Sequence, residues 1–323
     1  MRTYFLIISA LLFLLFSGCA SPRITLFSDH SLPLQEFTLQ GKGKDKILVI
    51  PIKGEISGST SKGLIFTKPS MIQEIISQLE LAEKDRKIKA VILKIDSPGG
   101  TVTASDILYH EIVAFKKRTG VKLVVAMMDV AASGGYYIAL PADFILAHPT
   151  TITGSIGVIF MQPKVNRLME KIGVGLDINK SGKNKDMGSP FRNTTDEERQ
   201  IFQDLTDELG KRFIRLVSMH RKLDKNSLAQ ISTARIYLAP KALELGLIDK
   251  IGYLEDAIIK TRKLAKLPQD ARVVIYRRTQ YPNDNLYNTS VDLQSGQGLA
   301  LIDLNLPEST RPLNTGFYYL WVP

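Results

Sequence analysis

The sequence predicts an α/β protein with a mainly parallel sheet and helices on both faces. Two observations carry this. Short Val- and Ile-rich runs alternate with stretches of helical period from residue 46 to 276. Composition is that of an ordinary globular protein, with 44% hydrophobic and 23% charged residues in a chain of 323. A chain of that size can build its core without metal or disulfide staples.

The chain opens MRTYFLIISALLFLLFSGCASP, with Arg2 ahead of an apolar run over 4–16. That run has the length of a secretory signal core and is short for a membrane span. Small residues before Cys19 resemble a bacterial lipoprotein signal, in which the cysteine is lipidated. The alternative is an uncleaved anchor helix. Both readings tie the chain to a membrane with its body outside the cytoplasm, and both set 1–19 apart from the fold. Residues 20–45, with SPRITLFSDHSLPLQ and GKGKDK, read as a linker.

KILVIPI (46–52) reads as a buried strand, and Met71, Ile72, Ile75, Ile76 and Leu79 repeat at helical spacing within 69–86. KAVILKI (89–95) is the next strand, followed by a helix over 103–118 that stops at Gly120. VKLVVAM (121–127) leads to a short helix over 133–140, ended by Pro141, and to the strand DFILA (143–147). IGVIF (156–160), a helix over 163–172 and GLDI (175–178) continue the alternation. Thr194-Thr195-Asp196-Glu197-Glu198 starts a long helix over 195–222. Helices over 224–231, 239–245 and 253–265 and a strand RVVIY (272–276) complete a body expected over 46–278. The tail 279–323 is rich in Asn, Gln, Ser, Pro and Gly and reads as flexible or partner-docking.

Net charge is +10, yet no run of five basic residues occurs and no basic stripe is interleaved with aromatics, which argues against nucleic acid as a partner. Cys19 is the single cysteine, and His30, His110, His148 and His220 never pair at ligand spacing. No metal site and no cofactor are expected.

Four stretches concentrate small or reactive residues. Ser133, in VAASGGYYIA (130–139), stands where a strand turns into a helix, a place that exposes a side-chain oxygen and leaves the next N–H without an acceptor. By local pattern alone an ordinary helix cap serves as well, and residue 131 is Ala rather than the first Gly of a G-x-S-x-G elbow. DSPGG (96–100) offers backbone N–H groups of the kind that stabilise an oxyanion, and is also a plain strand-to-helix turn. TGSIGV (153–158) lies beside a strand, and KSGKNKDMGSPFR (180–192) holds Lys180, Lys183 and Lys185 in a loop. His148 offers a Ser–His–Asp alternative, against which stands an ordinary packing role at a strand end.

Taken together, in this order and spacing, the four motifs resemble the signal peptide peptidase A family over roughly 46–265. The resemblance implies a ClpP/crotonase-like fold and a Ser–Lys dyad. It implies Ser133 as nucleophile, Lys185 as general base, Ser155 as a hydrogen-bonding partner of the lysine amine, and the Gly134 and Gly100 N–H groups as oxyanion donors. Tyr136 and Tyr137 are expected to pack the short helix. A solvated lysine titrates near about 10.4, so a lysine base must be shielded from water to accept a serine proton.

With the N-terminal tether, the resemblance implies a membrane-tethered serine endopeptidase acting on cleaved signal peptides and other membrane-proximal peptides, working as a homo-oligomer. The alternatives are a crotonase-type acyl-CoA enzyme, which shares the fold and the use of backbone oxyanion donors, and a non-catalytic membrane scaffold.

Overall fold

A computed structural model describes residues 32–62, 67–281, 283–288 and 315–322. The chain begins with β1 (Gln35–Gln40), β2 (Lys46–Lys53) and a short pair, β3 (Ser61–Lys62) with β4 (Thr67–Lys68). Helix α1 (Met71–Lys84) leads to β5 (Ile88–Ser97) and β6 (Gly99–Thr101), and α2 (Val102–Thr119) leads to β7 (Lys122–Ala132). Next come α3 (Gly134–Tyr137), β8 (Phe144–Ala147), β9 (Ile152–Gly154), β10 (Ile159–Met161) and α4 (Asn166–Ile172). Then follow α5 (Asp196–His220), α6 (Lys225–Ile231), β11 (Ile236–Leu238), α7 (Ala239–Glu244), β12 (Lys250–Ile251), α8 (Leu254–Leu264), β13 (Arg272–Arg277) and β14 (Gly316–Leu320).

The main sheet runs β1-β13-β2-β5-β7-β8-β12. Every pairing along this path from β13 to β12 is parallel and β1 joins antiparallel; β9 branches parallel from β7 and carries β11 antiparallel. Side chains along its central strands alternate between two cores. Leu48, Ile50, Val91, Leu93, Val125 and Met127 face one core, shared with α1 and α2. Ile47, Val49, Ala90, Ile92, Val124 and Ala126 face the other, closed by Leu254, Ala257 and Ile258 of α8. Burial on both faces explains why these strands read as unbroken apolar runs.

Local signals set the helix ends. Ser70 and Gln73 form a reciprocal cap on α1, and Thr195 and Glu198 do the same on α5. Gly120 closes α2 in the left-handed conformation, φ 67°.

Several expectations are corrected. The stretch 20–45 was expected as linker, but its residues 35–40 form β1 and pair with β13. IGVIF is not one strand: the chain bends at Gly157, and only Ile159 and Phe160 of the run are extended, in β10. GLDI forms no strand, and Leu176 and Ile178 are exposed. The tail 279–323 is not free throughout, since 316–320 form β14 in a three-stranded sheet ordered β10-β14-β6. Cys19 and the expected signal or anchor lie outside the described residues. Among the described residues, no helix is long and apolar enough to cross a membrane.

Leu93 is fully buried at the sheet centre. Leu93→Ala is expected to cost about 2–5 kcal/mol in urea unfolding, whereas Lys89→Ala on the exposed start of β5 should stay within about 0.5 kcal/mol. Equal losses at the two positions would contradict the two-core arrangement.

Candidate active site

Ser133 sits at the one-residue junction between β7 and α3, with φ 50° and ψ −116°. A non-glycine residue held there stores strain of about 1–3 kcal/mol. The junction is pinned by its own main chain: Ser133 N–H donates to the Gly154 carbonyl at 2.8 Å, and Tyr137 N–H donates to the Ser133 carbonyl at 2.8 Å. Pairing of β7 with β9, Ala132 opposite Gly154, supplies the first of these acceptors. The serine is fully buried, and its Oγ has no hydrogen-bond partner. A polar atom so placed is rare in a folded protein and points to a task other than packing.

The DSPGG loop meets this junction backbone to backbone. Ser97 Oγ accepts the Gly99 N–H at 3.1 Å. Ile56 N–H donates to the Gly99 carbonyl at 2.7 Å, and Thr101 N–H donates to the Ile56 carbonyl at 3.1 Å. With those groups engaged on one edge of β6, the Gly100 N–H and C=O face the other edge, toward β14. A Cβ on Gly100 would overlap the Ile56 carbonyl oxygen, and one on Gly99 would stand 2.7 Å from the Gly134 nitrogen. Gly134 opens α3, so its N–H has no acceptor within the helix. Ser133, Gly134 and the Gly99–Gly100 turn are thus brought together.

Ser155 adjoins Gly154, whose carbonyl holds Ser133, and it too has φ 50°, with its N–H donating to the Arg235 carbonyl at 2.9 Å. Lys185 is different. It is exposed in the loop between α4 and α5, and no hydrogen bond joins it to Ser133 or Ser155 among the described residues. That loop is anchored by charge. Asp186 pairs with Lys180 at 2.7 Å and Arg192 at 2.8 Å, Lys183 pairs with Glu197, and Arg192 also reaches Glu198 at 2.9 Å. Arg192, then Lys180, hold the Asp186 carboxyl well below the usual carboxylate range. The Arg192 guanidinium brings Glu198 down to about 2. Lys180 and Lys183 are committed to carboxylates, whereas Lys185 has no such partner among the described residues.

His148 hydrogen-bonds Thr150 at 2.8 Å and packs edge-on against Tyr253, and His110 is exposed. Neither hydrogen-bonds Ser133 Oγ. Tyr136 and Tyr137 pack as expected: the Tyr136 hydroxyl donates to the Leu247 carbonyl at 2.8 Å, and that of Tyr137 to Asp106 at 2.6 Å. Burial pushes both phenols well above their ordinary range. Sequence reading missed β14, which lies against both β6 and β10. The signal was present in the run GFYYL at 316–320, aromatic-rich as strands are.

The family model described as peptidase family S49 matches residues 115–268, and that described as Clp protease matches 66–149. A protein named as signal peptide peptidase SppA in Enterococcus faecium is 35% identical over 243 residues, 75% of this chain and 70% of that one. A protein named as a protease in Synechocystis is 36% identical over 278 residues, 84% of this chain and 95% of that one. The chloroplastic serine protease SPPA of Arabidopsis thaliana is 32% identical over 266 residues, 81% of this chain and 38% of that one. Among solved structures, a ClpP1 variant from Listeria monocytogenes aligns with TM-score 0.42 at 20% identity, covering 65% of this chain and 94% of that one. A membrane-bound stomatin-specific protease variant aligns with TM-score 0.44 at 17% identity, covering 75% and 100%.

The carboxylates anchoring the lysine loop have lowered folded pKa values, so their contribution is present at neutral pH and is lost only as pH falls through those values. Asp186→Asn is expected to raise the rate of tryptic cleavage within 173–192 several-fold, read by mass spectrometry. The unsubstituted loop should keep its resistance at about pH 5, two units or more above those values. Equal cleavage of the two proteins would show that the ion pairs do not hold the loop.

Proposed function

This chain belongs to peptidase family S49 and is a serine peptidase, and on that premise we propose that Ser133 is its nucleophile and Lys185 its general base. The observation that carries the reading is the strained, fully buried Ser133 with an unpartnered Oγ, set beside Gly134 and Gly100. The Lys185 amine takes the Oγ proton as the oxygen attacks a peptide carbonyl carbon. The Gly134 and Gly100 N–H groups receive the oxyanion, and Ser155 orients the amine. Collapse of the intermediate breaks the C–N bond, the lysine returns its proton to the leaving amine, and water releases the acyl group by the same route.

Lys185 is exposed in the single chain, so the dyad is completed when a neighbour or a substrate covers the loop. A stretch next to it supports a neighbour. Leu168, Ile172, Val174, Leu176, Ile178 and Phe191 are each 45% exposed or more, an apolar surface of the kind that subunit interfaces cover. We read the protein as a homo-oligomeric endopeptidase, tethered through 1–19 in the cell envelope, with cleaved signal peptides and other membrane-proximal peptides as substrates. Apolar extended chains suit a site whose walls are strand edges.

The full chain in detergent, incubated with a synthetic signal peptide, should yield fragments detectable by mass spectrometry. Ser133→Ala should lower kcat about 10³-fold or more. Lys185→Met should lower it about 10²–10⁴-fold with unchanged circular dichroism. Near wild-type turnover by the lysine variant would sink the dyad.

A further inference from the structure

Helix α3 is a single turn with no side-chain cap, so its orientation is set by what its side chains touch. It ends in two tyrosines, both fully buried, and a buried phenol needs a partner for its hydroxyl. Tyr136 finds the Leu247 carbonyl, whereas Tyr137 finds a carboxylate. Asp106 Oδ1, on α2, accepts the Tyr137 hydroxyl at 2.6 Å and the Arg212 guanidinium of α5 at 2.7 Å. Burial pushes the Asp106 carboxyl up, but the hydrogen bonds from Tyr137 and Arg212 outweigh it and hold the group below the usual carboxylate range. Asp106 is therefore ionised at neutral pH, and a hydroxyl donating to an ionised carboxylate makes a short, strong contact.

That contact leads to the nucleophile and to its oxyanion donors. The Tyr137 N–H donates to the Ser133 carbonyl at 2.8 Å. At the other end of α3, a Cβ on Gly134 would overlap Ser105 Oγ, which is fully buried and donates to the Thr101 carbonyl at 3.0 Å. Successive residues of α2, Ser105 and Asp106, thus grip the two ends of α3. The same helix is capped by Thr101, whose side chain accepts the Ala104 N–H at 3.3 Å and which follows Gly100 directly. One unit, β6 with the first turns of α2, carries the Gly100 N–H and grips the helix that carries the Gly134 N–H.

We propose that Asp106 is a positioning residue for the hydrolysis. Braced by Arg212, it holds α3 through the Tyr137 hydroxyl and so fixes the Gly134 N–H relative to that of Gly100, without touching substrate. This rests on the reading of Ser133 as nucleophile. Misplacing an oxyanion donor weakens the transition state and spares ground-state binding, so the loss falls on kcat and not on KM.

The test uses variants of the full chain in detergent, acting on the synthetic signal peptide. Tyr137→Phe removes the hydroxyl and keeps the ring packed on Tyr109 and Phe213. It should lower kcat about tenfold and leave KM near wild type. Asp106→Leu should lower kcat about 10- to 100-fold. Asp106→Asn, whose Oδ1 still accepts both donors, should recover most of that loss. Arg118→Gln breaks the pair with Glu83 elsewhere on α2 and should leave kcat unchanged. A second readout needs no catalysis. Hydrogen exchange read by mass spectrometry should quicken several-fold over 131–140 in Tyr137→Phe and Asp106→Leu, and stay as in wild type over 89–95 at the sheet centre. Faster exchange over 131–140 in Tyr137→Phe, with no hydrolysis by any form, would retire the Ser133 reading and keep the anchor. Wild-type kcat in Tyr137→Phe, a raised KM in place of a lowered kcat, no recovery by Asp106→Asn, or exchange over 131–140 that does not change would each overturn the positioning role. If Asp106→Leu loses its circular dichroism, Tyr137→Phe, which keeps the ring, decides alone.

Discussion

The site depends on the close approach of two backbone turns, one ending β5 and one ending β7. Where they meet there is no room for side chains. A Cβ on Gly135 would stand 2.6 Å from the Ser97 carbonyl oxygen, and one on Gly100 would overlap that of Ile56. This crowding surrounds Ser133, held at φ 50°, and turns the Gly100 amide to the edge of β6 that pairs with β14. The parallel pairing of β5 with β7 delivers both turns to the same end of the sheet, Ser97 opposite Ala131. Ligands bind at that carboxyl end in open parallel sheets generally.

A second consequence concerns what the sheet edges can hold. β6 and β10 are three residues each, too short to persist as an isolated ribbon. β14 joins them. Its Tyr319 ring, fully buried against Tyr137 and Phe213, adds apolar burial of about 2 kcal/mol to that ladder.

The lysine loop follows another logic. Its conformation is set by the Lys180–Asp186–Arg192–Glu198 chain of ion pairs rather than by packing, and the apolar side chains around it face outward. Asp186 and Glu198, both largely buried, converge on Arg192, and charge-assisted pairs of this kind fix a loop better than exposed single pairs do. Among the described residues of this loop, Lys180 and Lys183 are held by carboxylates and Lys185 has no such ion pair.

By itself the sequence determined the strands that are buried on both faces, the capped helices, and the pairing of a serine with glycine-rich turns, because apolar period, cap chemistry and small-residue runs are local signals. It carried the four motifs that mark the family. It could not reveal that β13 inserts between β1 and β2, since Arg272–Arg277 and Lys46–Lys53 are far apart in the chain and nothing local specifies their pairing. It misread IGVIF because a bend at Gly157 interrupts an apolar run that looks continuous. Its largest omission was β14, an aromatic stretch in a polar tail whose partners lie more than 150 residues away. That this stretch pairs with β6 and β10 and comes up against Gly99 and Gly134 is a property of the tertiary fold alone, because strand edges and an aromatic pocket exist only after the sheet has formed.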